Sequence, residues 1–123
     1  MDSLDLDDQA TVIVRAATEL RIKTDLDGDG RVRLLVDPTV PGLKASQVVI
    51  YVEGADDDCH HDFGGEYAPT IVEFGGGSIV QANIYAPQGT IRFGRDTTAT
   101  GAFLGEHVVI GDDSDLTLDS AFK

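Results

Sequence analysis

The sequence contains one cysteine, one methionine and no tryptophan, and its 9 lysine and arginine residues face 22 aspartate and glutamate residues. A single cysteine, Cys59, excludes a disulfide framework within the chain, since each bond needs two cysteines. The formal net charge of -13 repels phosphate backbones, so we expect no binding of nucleic acid. No apolar run reaches the roughly 18 residues of a membrane span, and the opening MDSLDLDDQ is neither basic nor apolar. We therefore expect no membrane insertion and no signal peptide within these residues.

Apolar residues make up 41% of the 123 positions, and 14 glycines supply many turns. Apolar side chains alternate with polar ones at period two, and helical periodicity is nearly absent. This alternation is typical of strands with one buried face. It is seen at Val12 and Val14, at Leu20 and Ile22, and at Val32 and Leu34. The pattern predicts an all-β fold.

From Phe74 to Leu118 the sequence repeats with a period of about 17 residues. A repeat this short cannot bury its own apolar face, so it must stack on its neighbours around a shared core. The spacing predicts a right-handed parallel β-helix, or β-solenoid, with coils of about 17 residues in the C-terminal half. The aligned columns are Phe74, Ile91 and Val108; Gly77, Gly94 and Gly111; Gly76, Phe93 and Ile110; Ala82, Ala99 and Leu116; and Ile84, Gly101 and Leu118.

The length favours one domain over residues 1–123. Within it, residues 1–68 form an irregular, acidic region of strands and loops, and residues 69–123 form the regular coils. Two interpretations of residues 1–68 stay open, namely further coils or a separate cap.

The segment from Ala82 to Phe122 contains NIYAPQGTIRFG, TTATGAFLG and LTLDSAF. It resembles the terminal segments of secreted bacterial surface proteins that carry parallel β-helix modules. More loosely it resembles the bactofilins, which are polymer-forming β-helices. The resemblance implies a structural or surface role without catalysis, and an extracellular or cell-surface location. The strong negative charge and the irregular first half depart from the bactofilin pattern.

Asp25, Asp27 and Asp29, followed by Gly30, match the opening of a calcium-binding loop. Alternating carboxylates with a glycine at the bend provide the hard oxygen ligands that calcium prefers. The twelfth position is Val36 rather than glutamate and the flanks resemble strands, so the loop is not an EF-hand. Two interpretations stay open: a calcium site completed by Asp37, and a plain turn that joins two strands.

A second polar group contains Cys59, His60 and His61 among aspartates 56–58 and 62. Thiolate, imidazole and carboxylate are ligands of zinc and other transition metals. Adjacent histidines point to opposite sides of an extended chain, and no second ligand pair stands at the usual spacing. A metal site and a solvated acidic loop therefore both remain open.

These patterns together predict a non-enzymatic structural or adhesive module of a secreted or surface bacterial protein. The last coil, around Leu116 and Leu118, would expose strand edges that allow self-association. The first alternative is a carbohydrate-binding module. The second is a polysaccharide-cleaving enzyme, in which Glu73 and either Asp96 or Asp113 would act as acid and base. In the first alternative, the carbohydrate-binding module, the carbohydrate would stack on Tyr51, Tyr67 and Tyr85.

Overall fold

The computed structural model describes residues 3–28, 30–54 and 70–120. The regular secondary structure of these ranges is almost wholly β-strand, which confirms the predicted all-β class. The elements are β1 Ser3–Asp5, β2 Thr11–Val14, β3 Thr18–Ile22, β4 Asp25–Gly28, β5 Arg33–Val36, a one-turn 3₁₀ helix Ala45–Gln47, β6 Val48–Val52, β7 Thr70–Phe74, β8 Ile79–Gln81, β9 Asn83–Phe93, β10 Thr98–Gly101, β11 Phe103–Ile110 and β12 Asp115–Leu118.

Every strand pair in the described ranges is parallel, and the pairs form three ladders. The first ladder contains β1, β4, β7 and the second halves of β9 and β11. The second contains β2, β5, β8, β10 and β12. The third contains β3, β6 and the first halves of β9 and β11. The long strands β9 and β11 therefore each belong to two ladders.

The chain visits the first, second and third ladders in the same order each time. We call each such passage a layer. The layers are residues 3–22, 25–52, 70–86, 90–105 and 107–118, numbered 1 to 5, and layer 5 reaches only the first two ladders. Layers 1 and 2 lie in the irregular first half, and their strands join the same ladders as those of the regular half.

The ladders bury one common apolar core. The ring of Phe93 stacks on that of Phe74 at 5.7 Å between centroids and meets the ring of Phe103 edge-on at 5.0 Å. Hydrocarbon burial of this kind stabilises by about 25 cal/mol per Å² of apolar surface. The core residues are Ile22, Leu26, Val32, Leu34, Val48, Ile50, Val52, Ile71, Val72, Phe74, Val80, Ala82, Ile84, Ala86, Ile91, Phe93 and Ala99.

The observed register corrects one part of the predicted repeat. Phe74 pairs with Phe93, not with Ile91, and Ile91 pairs with Val72 and Val108. The step from layer 3 to layer 4 is thus two positions longer than the step from Ile91 to Val108, which has the predicted length. The difference comes from residues 87–89, which occupy the place that Glu106 alone fills in the next layer. The columns that begin at Gly76, Gly77, Ala82 and Ile84 are displaced by the same two positions.

The turn between the first and second ladders has the same length in every layer. It reads LDDQA, GDGRV, FGGGS, FGRDT and IGDDS from residues 6, 28, 74, 93 and 110. In layers 1, 3, 4 and 5 the fourth residue of the turn takes positive φ; these residues are Gln9, Gly77, Asp96 and Asp113, at 68°, 76°, 59° and 62°. The second is glycine in layers 3 to 5, because a Cβ on Gly94 would lie 2.6 Å from the backbone nitrogen of Gly76.

Candidate functional site

The candidate site is the outer surface of layer 5, which we call the tail end. Its inward-facing side chains continue the columns of buried residues in layer 4, where Ile91, Phe93 and Ala99 are at most 1% exposed. No described layer covers them in turn. Their exposed fractions are 39% for Val108, 44% for Ile110, 44% for Leu116 and 78% for Leu118. An apolar row of this kind, exposed on one end, is a candidate interaction surface.

The strand edges at the tail end are open as well. Within residues 107–118 the second half of β11 pairs only with β9, and β12 pairs only with β10. Each of these strands therefore has a second edge without a strand partner in the described chain. Such an edge carries backbone N–H and C=O groups that can pair with another strand.

The tail end is attached to the body of the fold through buried polar contacts. Asn83 is fully buried, and its Nδ2 donates to the carbonyl oxygens of Ala45 at 3.0 Å and Asp119 at 2.9 Å. The backbone N–H of Ser46 donates to the carboxylate of Asp119 at 3.2 Å. Asp119 also donates its own N–H to the carbonyl of Gly101. The 3₁₀ helix of layer 2 and the residue that follows layer 5 are thus joined directly, through Ser46 and Asp119, and through Asn83.

Sequence reasoning missed a column of hydroxyl groups at the turn, formed by Ser78, Thr97 and Ser114. Thr97 Oγ1 donates to the Gly94 carbonyl at 2.8 Å, and Ser78 Oγ donates to the Gly75 carbonyl at 2.7 Å. Ser114 lies in layer 5, and its Oγ accepts the backbone N–H of Thr97 in layer 4 at 3.2 Å. Ser78 and Thr97 are fully buried. The signal was present as glycine followed three residues later by serine or threonine, in GGGS, GRDT and GDDS.

The residues predicted to bind calcium are distributed over two parts of the fold. Asp25 and Asp27 lie two residues apart on β4, so they share one face of the first ladder. Asp37 follows β5 in the second ladder, and Asp29 lies outside the described residues. Among the residues that the structure describes, no group of three or more His, Cys, Asp or Glu side chains is placed to hold a metal ion.

Asp37 has partners of its own. Its Oδ1 accepts the hydroxyl of Thr39 at 2.7 Å and the N–H of Thr39 at 2.8 Å, and its Oδ2 lies 3.2 Å from Nε of Arg15. These hydrogen bonds to Thr39, and then the positive charge of Arg15, lower the pKa of Asp37. The carboxylate therefore closes a local turn and links layers 1 and 2.

The second predicted metal group, Cys59, His60 and His61, lies outside the described residues, as does Tyr67. The two remaining tyrosines are neighbours in the third ladder, where Tyr51 pairs with Tyr85. Their rings meet edge to face at 6.1 Å, and the Arg21 guanidinium lies 4.6 Å from the Tyr51 ring centre. Tyr85 is 39% exposed. The structure therefore brings together an outward column of Arg21, Tyr51, Tyr85 and Leu104.

Of the three predicted acid–base residues, one lies on a strand and two lie in turns. Glu73 lies within β7, where its strand partners are Asp27 and Arg92. Asp96 and Asp113 occupy equivalent positions of the turn in layers 4 and 5, as the repeat predicts. Each has a positive φ, which aspartate adopts more readily than most residues, so each helps to form the turn.

No helix in the described ranges is long and apolar enough to cross a membrane. Comparison with curated proteins and with solved structures gives no match. Residues 2–123 match the family described as a domain of unknown function, DUF7305. Because this match spans all five layers, the chain belongs to the DUF7305 family.

Proposed function

We propose that the chain is a right-handed parallel β-helix and serves as a non-enzymatic structural module of a secreted or surface bacterial protein. Each layer is then one coil. The proposal is supported by the parallel pairing of every described strand, the constant order of the three ladders and the shared core. Right-handed connection is the strong preference of parallel strands in one sheet.

The observation that carries the structural role is the tail end. The buried polar side chains of the described core, Ser78, Asn83, Thr90 and Thr97, lie within a tightly bonded scaffold, whereas the apolar row of layer 5 has no cover among the described residues. Such a surface is suited to further stacking. The module thus acts as a segment of a longer rod, continued at the tail end.

The experiment is a coil duplication. A second copy of residues 93–109, which make up one full repeat, is inserted directly after Val109. If the layers are coils, the insertion adds one more coil in register, and the protein stays folded with an unchanged β circular-dichroism signal per residue. The urea m-value should also rise, because more surface is buried on folding.

The control carries the same inserted residues in scrambled order. It breaks the alternation of inward and outward side chains and should lower the thermal midpoint. If the duplicated and scrambled proteins are equally destabilised, the β-helix and the structural role are both wrong.

A carbohydrate-binding role is the second candidate, favoured by the outward column that contains Tyr51 and Tyr85. Tyr85 offers an exposed ring on which a sugar can stack, whereas Arg21 already lies over Tyr51. A glycan array should then show binding by the natural protein and none by Tyr85→Ala. Leu104→Ala, at the next position of the column, is the matched control. Equal signals for all three proteins contradict this candidate.

Calcium stabilisation stays a prediction, and we propose that Asp25, Asp27 and Asp29 would carry it. Asp37 follows β5 in the second ladder and already contacts Thr39 and Arg15. If calcium binds to the first three aspartates, the thermal midpoint is higher in calcium than in chelator. Asp27→Asn should remove this difference, and Asp37→Asn should keep it. Equal midpoints in calcium and in chelator contradict calcium binding.

A further inference from the structure

The two ends of the stack carry matching apolar rows. We call the outer surface of layer 1 the head end. Three columns of inward side chains begin there and end in layer 5: Leu4 with Val108, Leu6 with Ile110, and Val12 with Leu116. Leu4, Leu6 and Val12 are partly buried against the core, so one side of each stays accessible. Each column therefore has an incompletely covered apolar side chain at both ends.

We propose that the tail end of one copy is covered by the head end of a second copy, so that the chains associate head to tail. This rests on the structural role proposed above and names its partner. The β1 strand of the second copy pairs with the second half of β11, and its β2 pairs with β12. Both contacts continue the parallel direction of the existing ladders.

The constant turn between the first and second ladders makes this register possible. Residues 6–14 and residues 110–118 are segments of equal length that pass from the first ladder to the second. One can thus lie on the other as layer 5 lies on layer 4. Leu6 of the second copy then lies on Ile110 of the first, and Val12 of the second copy lies on Leu116 of the first. The two apolar rows therefore pack directly against each other.

Charge favours this arrangement over a contact between two tail ends. Residues 106–119 carry five acidic side chains and no lysine or arginine, with His107 beside them. Residues 3–14, which form the part of the head end that would lie on layer 5, carry three acidic side chains, and Arg15 follows them. Two tail ends would bring five negative charges against five, whereas head and tail bring five against three, so the repulsion is smaller.

A head-to-tail contact uses two different surfaces of each copy, so it does not close on itself and extends into a filament. The net charge of -13 on each copy opposes this growth. Association should therefore increase with protein concentration and with salt, because the electrostatic screening length falls from about 10 Å at 0.1 M to about 3 Å at 1 M.

The experiment uses one variant for each surface and the natural protein, followed by sedimentation velocity and light scattering. Leu118→Asp places a charge on the tail end, at a side chain that is 78% exposed. Leu4→Asp places one on the head end. Each variant alone should lose association by about tenfold or more, because an unpaired carboxylate is buried in the contact. Mixed together they should form dimers and no longer species, through the intact tail of one and the intact head of the other.

The opposite results are equally clear. If Leu4→Asp dimerises alone, through two intact tails, the head-to-tail arrangement is wrong. If the natural protein stays monomeric at every salt and protein concentration, the tail end is covered by something other than a second copy. In that case a successful coil duplication still supports the structural module.

Two further variants guard against misfolding. Thr11 is exposed and would face Asp115 of the neighbouring copy, so Thr11→Asp should weaken association about two- to fivefold without touching the core. Gln88→Asp adds the same charge at an exposed position of β9 between layers 3 and 4, away from both ends, and should leave association unchanged. An equal effect of Gln88→Asp and Leu118→Asp would overturn the proposal, since it would show that net charge alone is responsible.

Discussion

Layers 4 and 5 have nearly the same sequence pattern and pair in register in the first two ladders, but they differ in burial. Ile91, Phe93 and Ala99 in layer 4 are almost completely buried, whereas Val108, Ile110 and Leu116 at the equivalent positions are 39% to 44% exposed. The difference follows from position, because an inward side chain is enclosed only when a layer lies on each side of it. Within the part of the chain that the structure describes, layer 5 therefore has core-type side chains that no further layer encloses.

The largest expected effect comes from truncating the same column in the two layers. Phe93→Ala removes a ring packed against Phe74 and Phe103 and should cost about 3–5 kcal/mol of unfolding free energy. Ile110→Ala, one layer further, should cost clearly less, because the side chain is 44% exposed. Urea unfolding of the monomeric protein gives both values. Equal costs would mean that layer 5 is as enclosed as layer 4.

The attachment of layer 5 can be broken separately. Asn83→Ala leaves the carbonyls of Ala45 and Asp119 without their shared donor and should cost about 1–3 kcal/mol. Amide exchange should then become faster in β12 than in β10, since the end of layer 5 is released. Asp119→Asn keeps an oxygen acceptor for the Ser46 N–H and should change little. Uniformly faster exchange in all strands would contradict a local role of Asn83.

The alternation of apolar residues was enough to predict an all-β fold, and the predicted repeat length was correct where layer 5 lies on layer 4. It failed one layer earlier, because residues 87–89 add two positions outside the repeated segment. Because the predicted alignment did not include these two positions, it paired Gly77 with Gly94, and Ser78 and Thr97 did not fall in one column. Aligning FGGGS with FGRDT at the first phenylalanine would have found this column.

The candidate sites were harder to predict for a related reason. Asp27 and Asp37 are close in sequence, but all of β5 lies between them, so they belong to different ladders. In contrast, Asn83 and Asp119 lie 36 positions apart and are in direct contact. Contacts in a stack depend on register across layers, and the longer layers 1 to 3 do not repeat with a fixed period. The exposed row of the tail end was predictable because its layer follows the regular repeat.

The hydroxyl column gives a smaller difference between the same two layers. Thr97→Val removes a buried donor to the Gly94 carbonyl and should cost about 1 kcal/mol. Ser114→Ala removes the equivalent group in layer 5, which is only partly buried, and should cost less. Thermal unfolding with Thr97→Ser as the control, which keeps the hydroxyl, measures the contribution of the hydrogen bond. A Thr97→Ser protein as unstable as Thr97→Val would show that the methyl group, not the hydroxyl, matters.

The smallest expected effect is the pH dependence at the opposite end of the stack, where Asp37 joins layers 1 and 2. Its pKa is lowered in the folded protein by Thr39 and Arg15, so the unfolded chain takes up a proton at higher pH than the folded one. The stabilisation is present above the ordinary aspartate pKa of about 3.9 and disappears as the pH falls through the folded value. Asp37→Asn should therefore lower the thermal midpoint slightly at neutral pH and not at pH values below both pKa values. Asp113→Asn, at the turn of layer 5, is the control at the other end of the stack. If both variants follow the same course, the pH dependence arises from the overall negative charge rather than from the turn at Asp37.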